Sequence, residues 1–145
     1  MYRFKLQALL NHHHHQEEVC QIVLAEAQRD LTDAQGKLRR LKKDKRANIQ
    51  KLQARQEERH NISNILIFLN YIEQLSRDID AQMQRVRNAS KNVTQKRDNL
   101  IAIMKKHKTL EKLKEKGWLE YQQKMLLDER KFNDEVAASR HIRKM

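Results

Sequence analysis

The sequence contains no proline, two glycines and one cysteine in 145 residues, and each scarcity excludes a class of protein. Average soluble chains have about 7% glycine and about 5% proline, because turns need these residues. A sandwich, a barrel or a doubly wound sheet cannot make its many turns without them. Gly36 and Gly117 are also too far apart for a phosphate-binding loop, which needs several glycines within a few residues. We therefore predict an all-α fold of very few, very long helices.

Disulfides and membrane spans are excluded in the same way. Cys20 has no second cysteine to pair with, which is typical of a reducing compartment. The longest apolar run, residues 65–69, is far shorter than the roughly 18 residues that a membrane span needs. The first residues, MYRFKLQALLN, have too short an apolar stretch for a secretory leader. We expect a cytoplasmic protein.

The chain is strongly basic, with 31 Lys and Arg against 19 Asp and Glu, a net charge of +12. Its densest basic runs are residues 37–46 and 105–108. A basic helical stripe can bind phosphates, an acidic protein or an anionic membrane surface. Base stacking needs exposed aromatic side chains, and aromatics are only 5% of the chain. We therefore expect no nucleic-acid partner, although a basic homodimeric coiled-coil scaffold or a nucleic-acid-binding protein stays the alternative.

Apolar residues recur at alternating steps of three and four, which is the pattern of a coiled coil. Polar residues enter the first series after Leu41, whereas nine of the twelve positions in the second series are apolar. The first series is Cys20, Leu24, Ala27, Leu31, Ala34, Leu38, Leu41, Lys45, Asn48, Leu52, Arg55, Arg59 and Ile62. The second is Ile72, Leu75, Ile79, Gln82, Val86, Ala89, Val93, Lys96, Leu100, Ile103, His107 and Leu110.

The two series predict one domain over residues 1–145, an antiparallel two-helix coiled-coil hairpin. Residues 60–64 combine two Asn and a Ser that can cap helix ends, so we place the turn there; Asn70 is the rival position. Helix 1 then covers about residues 3–60 and helix 2 about residues 64–142, with residue 4 opposite about residue 120. Helix 2 is longer and overhangs helix 1. The overhang carries Met125, Leu126, Leu127, Phe132 and Val136, which predicts a docking site.

No group of residues predicts catalysis, so we expect no enzyme and no cofactor. A two-helix fold offers adjacent carboxylates such as Glu17 and Glu18 no cleft in which to act as acid and base. His12 and His15, three residues apart within the run His12–His15, can hold a transition metal weakly. A real site needs a third ligand, so we expect no metal site.

Several short motifs follow one another along the chain in an order that is typical of one protein family. Residues 4–10, FKLQALL, are similar to a Phe-x-Leu-x-x-Leu-Leu start of the first helix. Residues 71–79, YIEQLSRDI, are similar to an aromatic-Leu-x-x-Leu-x-x-x-Ile motif. Residues 110–116, LEKLKEK, and 128–135, DERKFNDE, resemble an EKLKE-type segment with its later acidic partner. In this order the motifs resemble the flagellar export protein FliJ family, and the resemblance covers nearly the whole chain.

The resemblance implies a stalk and adaptor of the bacterial flagellar type III export apparatus, which also acts as a general export chaperone. Its implied partners are the hexameric flagellar export ATPase, the cytoplasmic domain of the export gate membrane protein, and export chaperones. It implies a chain that is monomeric in isolation, at the inner membrane beneath the flagellum. The implied gate contacts are Leu41, Tyr71, Leu75 and Ile79. The implied contacts with the ATPase ring are Phe4, Trp118, Leu126, Phe132 and Glu135.

Overall fold

The chain forms two helices in a computed structural model that describes residues 1–57 and 62–144. Helix α1 spans Gln7–Glu57 and helix α2 spans Ile62–Lys144. At 1.5 Å per residue, they measure about 77 Å and about 125 Å along their axes. The helices pack against each other, so the predicted all-α hairpin with a longer second helix is confirmed.

Local sequence favours both helices along their whole length. No proline interrupts them, and Ala, Leu, Gln, Glu, Lys and Arg, which are strong helix formers, dominate both segments. The last turn of α1 carries Arg55, and the last turn of α2 carries His141, Arg143 and Lys144. Basic side chains at these ends interact favourably with the partial negative charge of the last carbonyls.

The helix ends differ from the predicted ones by a few residues. Helix α1 begins at Gln7 instead of near residue 3, because the preceding residues make other contacts. The Gln7 amide donates to the Phe4 carbonyl at 3.1 Å, and the Tyr2 hydroxyl donates to the Lys114 carbonyl of α2 at 3.1 Å. The residues of the predicted turn fall in two groups: 62–64 belong to α2, and 60 and 61 lie outside the described residues. Asn70, the rival turn position, is helical.

Tertiary contacts divide the chain into two packing units. One unit combines Met1–Glu18 with Ile101–Met145, and its buried residues are Leu10 and Leu110. The other unit is Val19–Leu100, and the buried residues in its described part are Ala27, Leu52, Leu75, Ile79, Gln82 and Val93. All twelve positions of the second apolar series are buried or half-buried, as the coiled-coil pattern predicts. The single domain over residues 1–145 stays a prediction.

Gln82 is a buried polar residue in the middle of the apolar series. Its Nε2 donates to the Ala34 carbonyl of α1 at 2.9 Å, and its Oε1 accepts from the Arg85 guanidinium at 3.4 Å. A buried amide without a partner costs about 1–3 kcal/mol. Because a shift of α1 along α2 would remove the Ala34 carbonyl, Gln82 favours one register within this unit.

Candidate docking surfaces

The last part of α2, which we call the terminal segment, covers residues 122–144. Every side chain in it is exposed except Val136, which is half-buried. It includes five large exposed apolar residues: Met125, Leu126, Leu127, Phe132 and Ile142. The exposed apolar side chains predicted for the overhang are therefore present, with Val136 as the partly covered one. Large apolar side chains exposed on one helix are typical of a surface that a partner covers.

An aromatic cluster lies next to the start of the terminal segment. It consists of Trp118 and Tyr121, which come just before that segment in α2, and of Tyr2 from the N-terminal end of the chain. The Tyr2 ring lies edge-on to Trp118 and tilted against Tyr121, each with 5.6 Å between ring centroids. Trp118 and Tyr121 stack at 5.9 Å. Aromatic pairs of this geometry contribute about 0.5–1.5 kcal/mol beyond the area they bury. Trp118 keeps 44% of its surface exposed, so the cluster offers an ordered aromatic surface to a partner.

Gly117 makes room for this cluster. A Cβ at this position would collide with the Tyr2 hydroxyl and would lie 3.3 Å from Tyr2 Cζ. Glycine within a helix therefore serves here to allow the close approach of another segment. The role of Tyr2 was not predictable from the sequence, because Tyr2 lies outside the apolar series and its partners are more than a hundred residues away.

A second group of exposed apolar side chains, which we call the α2-start patch, lies along the start of α2 in the other packing unit. It consists of Ile62, Leu66, Ile67, Leu69 and Tyr71, all exposed. Beside it, the Arg55 guanidinium lies 4.4 Å from the centroid of the Phe68 ring. Such a cation–π contact contributes about 0.5–1 kcal/mol at an exposed site and holds the end of α1 against α2.

Histidines and carboxylates of both helices meet in the first unit. His107 Nδ1 lies 2.6 Å from Glu17 Oε2, and His107 Nε2 lies 3.2 Å from Glu111 Oε1. His14 Nε2 lies 3.1 Å from Glu18 Oε1, and the rings of His14 and His107 are 5.3 Å apart. We call these five residues the histidine–carboxylate cluster. It does not include the pair His12 and His15 that the sequence singled out. The predicted register, with residue 4 opposite about residue 120, places Glu17 near His107 and could have revealed the cluster.

Comparison with known proteins gives one finding. The family model of the flagellar FliJ protein matches residues 2–145. The chain belongs to the FliJ family. Comparison with curated proteins and with solved structures gave no match. As a FliJ family member, the chain is a component of the flagellar export apparatus, and the family is a non-catalytic one. That this chain has no enzymatic activity and no cofactor stays a prediction.

The FliJ-derived candidates for contact with the ATPase ring all lie in the unit that holds the aromatic cluster and the terminal segment. Phe4 is half-buried, and Trp118 belongs to the aromatic cluster. Leu126, Phe132 and Glu135 are exposed on the terminal segment. Phe132 and Glu135 also line a shallow groove together with arginines of the next turns.

The FliJ-derived candidates for gate contact lie in the other unit and differ in exposure. Tyr71 is 48% exposed, and Leu41 is half-buried. Leu75 is only 4% exposed, and Ile79 is also buried. These two side chains occupy the positions that the apolar series gives them and have little surface to offer a partner. Their contact role stays a prediction.

The basic run of α1 lies mostly on the surface, where Lys37, Arg39, Arg40, Lys42, Lys43 and Arg46 are exposed. Lys105, Lys106 and Lys108 of the second run are exposed as well. Within residues 1–57 and 62–144, neither helix has a stretch long and apolar enough to cross a bilayer.

Proposed function

We propose that this chain is a non-enzymatic stalk and adaptor of flagellar type III export, coupling the export ATPase ring to the export gate. The observation that supports this most is the terminal segment, whose large apolar side chains are exposed beside an ordered aromatic cluster. Large apolar side chains exposed on a helix are suited to a groove on another protein. The FliJ family provides the apparatus in which that partner is found.

The contact with the ATPase ring uses the terminal segment and the aromatic cluster. Leu126 and Phe132 supply apolar anchors, and Trp118 supplies a partly exposed aromatic one. Buried aromatic and aliphatic anchors contribute most of the binding energy in typical interfaces. Glu135 is exposed but charged and Phe4 is half-buried, so both contribute less.

The contact with the cytoplasmic domain of the gate uses the α2-start patch. Tyr71 is the exposed aromatic anchor, and the half-buried Leu41 of α1 contributes less. Leu75 and Ile79 act by holding α2 against α1. The two partners therefore bind different packing units, as coupling between a ring and a gate requires.

In this role the chain works in the cytoplasm, peripherally at the inner membrane beneath the flagellum. It also escorts complexes of export chaperones with their substrates, for which the exposed apolar and basic surfaces are available. Cells that lack it are expected to export flagellar subunits poorly and to lose motility. The alternative, a basic homodimeric scaffold or nucleic-acid-binding protein, is less favoured, because residues of the apolar series find partners within one chain, such as Gln82 with Ala34.

The test measures binding of the purified chain to the purified export ATPase hexamer and, separately, to the gate domain. Leu126→Asp introduces a charge into the terminal segment and is expected to weaken ATPase binding by about 10-fold or more. Its effect on gate binding is expected to be small. Tyr71→Ala is expected to show the opposite selectivity, because Tyr71 lies in the other unit.

Ile22→Asp is the matched control, since Ile22 is 61% exposed and Leu126 is 59% exposed. Equal loss of ATPase binding in the Leu126→Asp and Ile22→Asp variants would contradict the proposed docking segment. Failure of the unaltered chain to bind either partner would contradict the stalk and adaptor role itself.

A further inference from the structure

We propose that His14, Glu17 and His107 form a binding site for a divalent transition-metal ion, with Zn²⁺ as the preferred one. One possible ligand atom from each of these residues lies within 4.8 Å of the others. Two imidazoles and one carboxylate are a common ligand set for zinc, completed by a water molecule in the fourth position. His14 and Glu17 belong to α1 and His107 to α2, so the ion would join the two helices within one packing unit.

The separations are close to those that a metal requires. Ligands about 2.0–2.2 Å from a tetrahedral zinc lie about 3.3 Å from one another. His107 Nδ1 and Glu17 Oε2, now 2.6 Å apart, must separate slightly to accept the ion between them. The ligand atom of His14, within 4.8 Å of both, must approach by about 1–2 Å. Side-chain rotation alone provides shifts of this size.

Carboxylates already hold the opposite side of both imidazoles. Glu111 Oε1 lies 3.2 Å from His107 Nε2, and Glu18 Oε1 lies 3.1 Å from His14 Nε2. In each case the carboxylate is one helical turn after the histidine. A histidine that binds a metal through one ring nitrogen usually donates the other N–H to a carboxylate or carbonyl, which fixes the ring and strengthens the ligand. In the proposed site His107 therefore binds the ion through Nδ1, and His14, whose Nε2 lies near Glu18, is expected to bind it through Nδ1 as well.

The local charge also suits a cation, although the chain as a whole is basic. Glu17, Glu18 and Glu111 surround the site, whereas the nearby Lys105 and Lys108 are exposed to solvent. Exposed lysines are screened by water and salt, whereas His107 and Glu17 are each only 17% exposed. Glu17 therefore acts on the ion more strongly than the lysines do, whereas Glu18 and Glu111, which are 58% and 59% exposed, are screened as the lysines are.

The test titrates Zn²⁺ into the metal-free, full-length chain in a calorimeter. We expect one ion per chain and a higher thermal unfolding temperature with Zn²⁺, because the ion binds only the paired helices. His14→Gln and Glu17→Gln are each expected to weaken binding at least about 10-fold, and Glu111→Gln by about 10- to 100-fold through loss of the imidazole's support. Co²⁺ in place of Zn²⁺ is expected to show the intense visible absorption of four-coordinate cobalt.

The double variant His12→Gln, His15→Gln is the matched control, because it removes two histidines of the same run that lie outside the site. We expect it to keep the affinity of the unaltered chain. The proposal is overturned if this control loses affinity as His14→Gln does, if two chains share one ion, or if Zn²⁺ does not bind. His107→Gln removes a half-buried residue, so circular dichroism must first show that its helices persist. Undiminished affinity in that folded variant would also overturn the proposal.

Discussion

Gly117 shows how a missing side chain positions a distant one. The N-terminal segment reaches α2 at this glycine, where the Tyr2 hydroxyl donates to the Lys114 carbonyl and the Tyr2 ring meets Trp118. Glycine in a helix costs roughly 0.5–1 kcal/mol relative to alanine. At this position the cost is offset by the contacts of Tyr2, which a Cβ would block.

Gly117→Ala is therefore expected to release Tyr2 from the aromatic cluster even though alanine favours the helix. The readout is quenching of Trp118 fluorescence by a soluble quencher, which should increase as the ring loses its cover. Trp118 is the only tryptophan, so the signal reports this site alone. Gly36→Ala is the control, since the nearest atoms to its added Cβ are flexible arginine ends at 3.8 Å. It should raise the free energy of unfolding by about 0.5–1 kcal/mol and leave the quenching unchanged. Equal quenching in both variants would show that Tyr2 does not depend on Gly117.

Within helix α2, the side chains that face α1 stabilise the fold, and those that face solvent are available for binding. Leu75 is buried against α1, whereas Tyr71, about one turn earlier, is exposed. Leu75→Ala is expected to lower the free energy of unfolding by about 2–3 kcal/mol, near the lower end for buried leucines because a two-helix core is thin. Tyr71→Ala is expected to change it by less than about 0.5 kcal/mol. Urea unfolding followed by circular dichroism measures both.

The two variants together separate folding from binding. If Tyr71 is a gate anchor, Tyr71→Ala weakens gate binding in a chain that is as stable as the unaltered one. A large loss of stability in Tyr71→Ala would instead assign this ring to the core. A Leu75→Ala variant as stable as the unaltered chain would show that α1 does not cover α2 at this position.

The helices were largely predictable from sequence, because the apolar period records which side of each helix is buried. Each position from Ile72 to Leu110 in the second series is indeed buried or half-buried, including the polar Gln82. The start of α1 was not predictable, since it depends on Tyr2 reaching Lys114 across the hairpin. Helix propensity does not contain such a contact, and helix boundaries are uncertain by a residue or two even in known structures.

The candidate surfaces were predictable only in part. Apolar residues beyond the reach of helix 1 pointed to the terminal segment, where Leu126 and Phe132 are exposed. The family motif that contains Leu75 locates a neighbourhood but does not say which of its side chains faces solvent. Spacing along one helix pointed to His12 and His15, which are three residues apart. It cannot show that Glu17 meets His107, which is 90 residues away in the sequence.

The association state of the chain follows from where its apolar series finds its partner. Gln82 uses the Ala34 carbonyl and His107 uses Glu17, so two of the three polar positions of the second series find partners within one chain. We therefore expect sedimentation to give one species of 17.5 kDa over a wide range of concentration. Circular dichroism is expected to show that this species is highly helical. The basic surface is expected to give only weak, sequence-independent DNA binding that is lost as salt rises. A stable 35 kDa dimer, twice the mass of the 17.5 kDa chain, would mean that the series pairs between molecules. In that event the basic homodimeric scaffold becomes the better explanation. The apolar series would then pair with a second chain, and the chain would not form the hairpin in which the terminal segment is exposed.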